Sequence, residues 1–105
     1  MKQIDKSLKI LNLEFEVQEV TEISHGSENI GETNHIEQII YIKKSLSPER
    51  KKIVLLHEIL HSIFEQLGFD EQHDDELLIN ALSTALYRVL VDNVLFWFST
   101  SLRLR

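Results

Sequence analysis

The chain has 105 residues, a formal net charge of −6, 43% hydrophobic residues and no cysteine. This length predicts one soluble globular domain, residues 1–105, with a single hydrophobic core. The absence of cysteine excludes disulfides and thiolate metal ligands. The acidic balance, without a clustered basic face, argues against nucleic-acid binding. A metal ion would therefore be held by histidine and carboxylate groups.

The N-terminal residues and the hydropathy predict neither export nor membrane insertion. The first residues, MKQIDKSLKILNLEFEV, lack the apolar core and the small-residue cleavage site of a signal peptide. No run approaches the roughly 18 apolar residues of a membrane span. We expect a cytoplasmic protein that does not contact a membrane.

Two strands are predicted in the first half of the chain. Apolar and polar residues alternate from Leu11 to Val17, which is typical of a half-buried strand. Residues 24–34 contain two of the three glycines and predict a loop. The β-branched run IEQIIYI, Ile36 to Ile42, predicts the second strand.

Two helices are predicted in the second half. Ser47 is a favourable N-cap and Pro48 suits the first helical position, so a helix should begin at Pro48. It should end near Gly68, a favourable C-terminal cap. A short acidic loop, FDEQHDD, then leads to a second helix from about Asp75 to Leu90.

The first of these helices carries two histidines four residues apart, His57 and His61, with Glu58 after the first. Each helical residue turns by ~100°, so both imidazoles lie on one face, beside the apolar stripe. Two imidazoles one turn apart can chelate one zinc ion at ~2.0 Å. Glu58 should lie beside this site, outside the core, as the general base of an HExxH motif. The alternative is a helix with two half-exposed histidines, which the mid-helix context disfavours.

The second helix offers a third metal ligand. Glu76, Asn80, Ser83 and Tyr87 form a polar stripe along one face. A solvated face is the alternative, although such faces are usually richer in lysine and glutamate. We predict Glu76 as the third ligand, and Asn80 as a hydrogen-bond partner of the outer nitrogen of His57. Tyr87 should pack, with stabilisation of an oxyanion as its alternative role.

Other ligands for the third position lie in the preceding loop. His73, Asp74 and Asp75 are candidates, although a helix preorganises a ligand better than a loop. The third histidine of the metzincin motif would stand six residues after His61, where this chain has Leu67, so that class is excluded. Residues His25 and His35 have no assigned role.

The segments IEQIIYIKKSLSPERKKIVLLHEILHSIFEQLG and DDELLINALSTALYRVLVDN resemble small zincin-like metallopeptidases of phages, prophages and bacterial mobile elements. These are similar to ImmA/IrrE-type metallo-endopeptidases. The resemblance covers residues 8–93. It implies an α+β, minimal zincin-like domain: a short N-terminal sheet, the HExxH helix, and a second long helix with a glutamate, often written ExxAN, here ELLIN. It implies His57, His61 and Glu76 as zinc ligands and Glu58 as the base.

This chain also departs from the family pattern. Leu60 stands where ImmA/IrrE proteins usually have glycine before the second histidine, and the family members are longer, with extra segments that shape a substrate cleft. By analogy with zincin folds, the strand Ile36–Ile42 would hold an extended substrate by edge pairing.

We therefore predict a zinc-dependent metallopeptidase that acts on a specific protein or peptide substrate, in a phage or mobile-element setting. The first alternative is a zinc-binding interaction module without peptidase activity, and the second is a metal-free interaction domain. The presence of Glu58 favours the enzyme, because a structural zinc site needs no base. The aromatic run VLFWF, residues 94–98, is predicted to pack in the core, with a partner surface or dimer seam as its alternative.

Overall fold

The computed structural model describes residues 6–23 and 29–94, and within these ranges strands precede helices. The elements are β1 (Lys6–Ile10), β2 (Leu13–Val20), β3 (Gly31–Asn34), β4 (Ile39–Lys43), α1 (Pro48–Leu67), α2 (Asp70–His73) and α3 (Glu76–Asp92). The segregation of the strands from the helices confirms the predicted α+β class. None of the described helices is both long enough and apolar enough to cross a membrane.

The four strands form one mixed sheet in the order β1-β2-β4-β3. The central pair, β2 and β4, is parallel, and the two outer pairs are antiparallel. Ile10 pairs with Leu13, so Leu11 and Asn12 form a tight turn in which Leu11 has a φ of 53°. The predicted start of the first strand at Leu11 is therefore wrong, because the alternation of apolar residues continues through this turn.

Two further predictions about strands were wrong. The predicted loop over residues 24–34 ends in a strand, β3, whose sequence GETN has no apolar alternation to reveal it. The strand predicted over Ile36–Ile42 is β4, which begins three residues later than predicted, at Ile39. The reason is that residues 35–38 form a turn, in which Ile36 is 94% exposed. Residues 24–28 lie outside the described part of the chain.

The hydrophobic core lies between the sheet and α1. Ile40 and Ile42 alternate along β4 and are almost fully buried, as expected for a strand with one face on a helix. Full burial of each such side chain contributes about 1.5–3 kcal/mol. The buried members of this cluster are Ile10, Phe15, Ile40, Ile42 and Val54.

Helix α1 has the predicted bounds. The Ser47 hydroxyl accepts a hydrogen bond from the Arg50 amide at 3.2 Å, and Gly68 ends the helix with a left-handed φ of 82°. Gln66 fixes the C-terminal end of α1 to the β1–β2 turn. Its side-chain amide donates to the Ile10 carbonyl at 2.8 Å and accepts from the Asn12 amide at 3.1 Å.

The segment between α1 and α3 was predicted as a loop but contains the short helix α2. Helix α3 begins as predicted, with the Asp75 carboxylate accepting a hydrogen bond from the Leu78 amide at 3.1 Å. The apolar residues in its C-terminal half are largely uncovered. The buried residues are Ile79 and Ser83, whereas the side chains of Leu86, Val89 and Leu90 are 38–47% exposed.

The physical reason is that α3 is an outer layer. Within the described residues, it packs against α1 and α2 and not against the sheet, so only one narrow face is covered. Val94 is exposed, and the rest of the VLFWF run lies outside the described residues, as does His25.

Candidate metal centre

Helix α1 brings His57 and His61 together, as their spacing predicts. Their Nε2 atoms are 3.2 Å apart, and their ring centroids are 4.8 Å apart. Both side chains are largely buried, with exposed fractions of 19% and 13%. Two imidazole nitrogens, each able to bind a metal ion when unprotonated, therefore converge at a point beside the helix.

Helix α3 adds Glu76 to this pair from its first turn. The Glu76 Oε1 atom is 3.1 Å from His57 Nε2, and its Oε2 atom is 2.9 Å from His61 Nε2. The Asp75 cap and α2 hold the start of α3 where this glutamate reaches α1. The structure therefore brings together the three side chains that the sequence nominated as ligands.

The donor set suits a zinc ion. Metal–nitrogen and metal–oxygen distances of about 2.0–2.1 Å in a tetrahedron separate neighbouring donors by about 3.3 Å. Here the two histidine nitrogens are 3.2 Å apart, and each is 2.9–3.1 Å from a different oxygen of the Glu76 carboxylate, so small outward movements would admit the ion. Two imidazoles and one carboxylate also leave a fourth position open, as in catalytic zinc sites.

Glu58 lies deeper than predicted. Its side chain is 8% exposed, and it accepts a hydrogen bond from the Thr33 hydroxyl at 2.6 Å on Oε1. The prediction placed Glu58 outside the core because it used only the rotation between residues along the helix. That rotation carries no information about β3, which covers this side of α1. A buried carboxylate requires such a donor, because desolvation without a hydrogen bond is costly.

Gly31 allows β3 to lie this close to α1. A Cβ atom at Gly31 would be 2.5 Å from Val54 Cγ1 and 3.3 Å from Glu58 Oε2. Sequence reasoning missed both Gly31 and Thr33, because GETN carries no periodic signal. The signal that could have found them is the short distance along the chain from this glycine to the apolar strand β4, which permits a hairpin.

A cleft runs over these groups, between β3 and the two long helices. Its acidic side chains include Glu32, Glu58 and Glu76, and Arg50 supplies a basic one. The full lining is Asn29, Ile30, Gly31, Glu32, Arg50, Ile53, Val54, His57, Glu58, His61, Glu76, Asn80, Ser83 and Thr84.

Among the described strands, β3 lies at the edge of the sheet beside the cleft. The analogy that gave the substrate-pairing role to Ile36–Ile42 is therefore wrong, because β4 is paired on both sides, by β2 and by β3.

A family model described as Peptidase_M78, IrrE N-terminal-like domain, matches residues 10–87, which include the HExxH motif and Glu76. The chain belongs to this family. Families of this type are peptidases that typically depend on a metal ion, and the His57, His61 and Glu76 group of this IrrE N-terminal-like domain can bind one. No curated protein and no solved structure matches the chain.

Asn80 and Tyr87 lie further along α3 in this IrrE N-terminal-like domain. Asn80 lines the cleft, but among the described residues no hydrogen bond joins its side chain to His57. Its carbonyl accepts a hydrogen bond from the buried Ser83 hydroxyl at 3.1 Å. Tyr87 is half-buried beneath the Arg88 guanidinium, 5.8 Å from the ring centroid, and is not among the cleft residues.

The rival third ligands lie elsewhere around the site. Asp75 is the N-cap residue of α3, and Asp74 is the C-cap residue of α2. His73 is on the far side of the His61 ring from Glu76, with its Nδ1 atom 3.3 Å from His61 Nδ1. The His35 ring lies next to that of His73, with centroids 6.3 Å apart, and its Nδ1 atom is 3.0 Å from Glu65 Oε1. His73 therefore contacts the candidate ligand His61 at Nδ1, and not at Nε2, the atom that faces Glu76.

Proposed function

We propose that this domain is a zinc-dependent metallopeptidase that hydrolyses a peptide bond in a specific protein. The observation that carries the proposal is the convergence of His57 Nε2, His61 Nε2 and the Glu76 carboxylate within 3.2 Å of one another. Glu58 follows His57 on the same helix and lines the same cleft. Membership of a peptidase family supports this function, and the resemblance to phage and mobile-element enzymes points to a protein of such an element as the substrate.

His57, His61 and Glu76 hold the ion in this proposal. When bound, zinc supplies Lewis acidity, which polarises a peptide carbonyl and lowers the pKa of water. Glu58 accepts a proton from the attacking water and transfers it to the leaving amine. The Thr33 hydroxyl holds the Glu58 carboxylate during both transfers, which limits the rotamers that this side chain can sample.

The substrate would lie along β3 in an extended conformation. Strand β3 is at the end of the strand order, and its residues Gly31 and Glu32 line the cleft beside Glu58. Main-chain pairing with an edge strand is a common mode of peptide recognition. The cleft side chains would then select among sequences, with Arg50 favouring an acidic substrate residue over a basic one.

The experiment that tests this function combines metal content with cleavage. Native mass spectrometry of untagged protein should find one zinc ion in the wild type and in Glu58→Gln, and little or none in Glu76→Ala. The Glu71→Ala variant removes an exposed carboxylate of α2 and should keep the ion. Mass spectrometry of a peptide library should then find cleavage by the wild type and not by Glu58→Gln.

Two results would contradict the proposal in different ways. A wild type that binds no zinc when the ion is added in excess would leave a metal-free interaction domain. A zinc-loaded wild type that cleaves no library peptide, and no protein of a host or phage extract, would leave a zinc-binding interaction module.

A further inference from the structure

The His61 ring is held between partners on both of its nitrogens. Its Nε2 atom faces the Glu76 carboxylate at 2.9 Å, and its Nδ1 atom is 3.3 Å from His73 Nδ1. The His61 and His73 rings meet edge to face, with centroids 4.9 Å apart and an angle of 84° between their planes. Both residues are at least half-buried, so these neighbours replace much of the water around the ring.

The chemistry of imidazole determines what the contact with His73 can be. A neutral histidine that binds a metal through Nε2 carries its proton on Nδ1, and that N–H group needs an acceptor. Metal-binding histidines almost always donate this hydrogen to a protein group or to water, which sets the orientation of the ring. At His61, His73 Nδ1 is the group in that position.

A second contact makes this inference specific to one tautomer of His73. His73 Nδ1 is also 3.1 Å from the His61 carbonyl oxygen, which can only accept a hydrogen bond. If His73 Nδ1 is unprotonated, it can accept a hydrogen bond from His61 Nδ1–H. If His73 Nδ1 is protonated, it would instead donate to the His61 carbonyl, and His61 Nδ1–H would lack this acceptor. A metal on His61 Nε2 therefore selects the form of His73 with its proton on Nε2.

The connection between α1 and α3 holds His73 in place. His73 is the last residue of α2, its amide donates to the Phe69 carbonyl at 2.9 Å, and the Phe69 amide donates to the Phe64 carbonyl of α1 at 2.8 Å. Three residues later the chain supplies Glu76. One short segment thus places a carboxylate on one side of the His61 ring and an imidazole on the other.

We propose that His73 is a positioning residue of the metal centre, which accepts a hydrogen bond from His61 Nδ1–H and so aims His61 Nε2 at the ion. This inference rests on the proposed metal site. It assigns His73 the kind of role that the sequence suggested for Asn80, but on the second histidine of the motif instead of the first.

Zinc affinity, measured by competition with a chromogenic chelator, tests the proposal. The His73→Phe variant keeps a ring and removes the acceptor, and we expect its zinc dissociation constant to rise about 10–100-fold. The His73→Asn variant places an amide oxygen close to the position of Nδ1 and should recover most of the affinity. The matched control is His35→Ala, because His35 contacts His73 and not His61.

Two spectroscopic measurements separate positioning from a merely structural role. The d–d absorption of the Co²⁺-loaded His73→Phe protein should differ from that of the wild type, and His73→Asn should restore it. Two-bond ¹H–¹⁵N correlations of the zinc-loaded wild type should show His73 protonated on Nε2. This second measurement needs no variant, so it applies even if His73→Phe does not fold.

The outcomes distinguish this inference from the proposed function. A zinc-loaded wild type in which His73 is protonated on Nδ1 would overturn the inference, and so would a folded His73→Phe protein with wild-type affinity and an unchanged Co²⁺ spectrum. A wild type that binds neither ion would instead overturn the proposed function on which the inference rests.

Discussion

Glu58 illustrates, at the scale of one residue, how a charged group is accommodated next to a core. Its side chain is 8% exposed, and Thr33 donates to it from a neighbouring strand at 2.6 Å. A hydrogen bond to an ionised group contributes about 1.5–3 kcal/mol, and removal of the donor leaves the carboxylate poorly solvated. Thr33 therefore stabilises the fold and orients the proposed base with the same bond.

The Thr33→Val variant tests this contact, because valine keeps the shape of threonine and lacks the hydroxyl. We expect the free energy of unfolding in urea to fall by roughly 1–3 kcal/mol. Zinc content should stay at the wild-type level, because Thr33 is outside the His57, His61 and Glu76 group. Urea denaturation monitored by circular dichroism would measure the change.

Two variants serve as controls for Thr33→Val. Thr33→Ser keeps the hydroxyl and should lose less stability. Thr84→Val makes the same chemical change at an exposed position of the cleft and should stay within about 0.5 kcal/mol of the wild type. Equal stability of Thr33→Val and the wild type would refute the role of this hydrogen bond.

The individual ligands could be predicted from the sequence, but the residues that surround the site could not. The four-residue spacing places His57 and His61 on one helical face in any protein. Glu76 was chosen from a local polar stripe, and the structure brings it to the histidines. Thr33 is 25 residues from Glu58 along the chain, so no local pattern indicates their contact.

Strand β3 and helix α1 approach closely as whole elements, and Gly31 is the point of contact. An alanine Cβ at Gly31 would be 2.5 Å from Val54 Cγ1, a distance at which the Val54 side chain or one of the two elements has to move. We expect Gly31→Ala to lower the free energy of unfolding by about 1–3 kcal/mol, in the range of other overpacking substitutions. Equilibrium denaturation of the variant would measure the loss.

A double-mutant cycle with Val54→Ala provides the control, because that change removes the atom that the new methyl group would meet. Each single variant should be destabilised, and the double variant should lose less than the sum of the two losses, by about 0.5–3 kcal/mol. Additive losses would show that the contact between β3 and α1 does not limit the size of the side chain at position 31.

The helices were predictable as elements, and the strands only partly. The bounds of α1 follow from Ser47, Pro48 and Gly68, whose capping chemistry acts within a few residues. Strand β3 has no such local signature and exists because it pairs with β4. The exposed apolar residues of α3 likewise show that helical periodicity identifies a face but not the layer that covers it.

At the scale of the whole molecule, the metal site would join the two long helices. Within the described residues, helix α3 contacts α1 and α2 but not the sheet. The most exposed of the three proposed ligands is Glu76, whose side chain is 62% exposed. An ion bound by His57, His61 and Glu76 would therefore add a link between α1 and an outer helix. Ligand binding to the folded state alone stabilises it by about 2.7 kcal/mol when the free ligand is at 100 times its Kd.

We therefore expect zinc to raise the Tm of the wild type by roughly 10–20 °C at such a concentration. Differential scanning calorimetry with and without the ion would measure the shift. Glu76→Ala should show little of this shift, whereas Glu71→Ala should show all of it. An equal rise in Tm for Glu76→Ala and the wild type would place zinc elsewhere on the protein.

The resemblance to a known family implied the α+β class. The amino-acid sequence by itself determined the limits of α1, the start of α3, and the nomination of His57, Glu58, His61 and Glu76. Each of these depends on interactions within one helix turn or on composition, so they can be seen in a short window. Tertiary structure decided the burial of Glu58, the place of β3 at the edge of the cleft, and the contact of His73 with His61. These depend on pairing and packing between residues that are distant in the chain, where the partner, and not the local pattern, sets the lowest free energy.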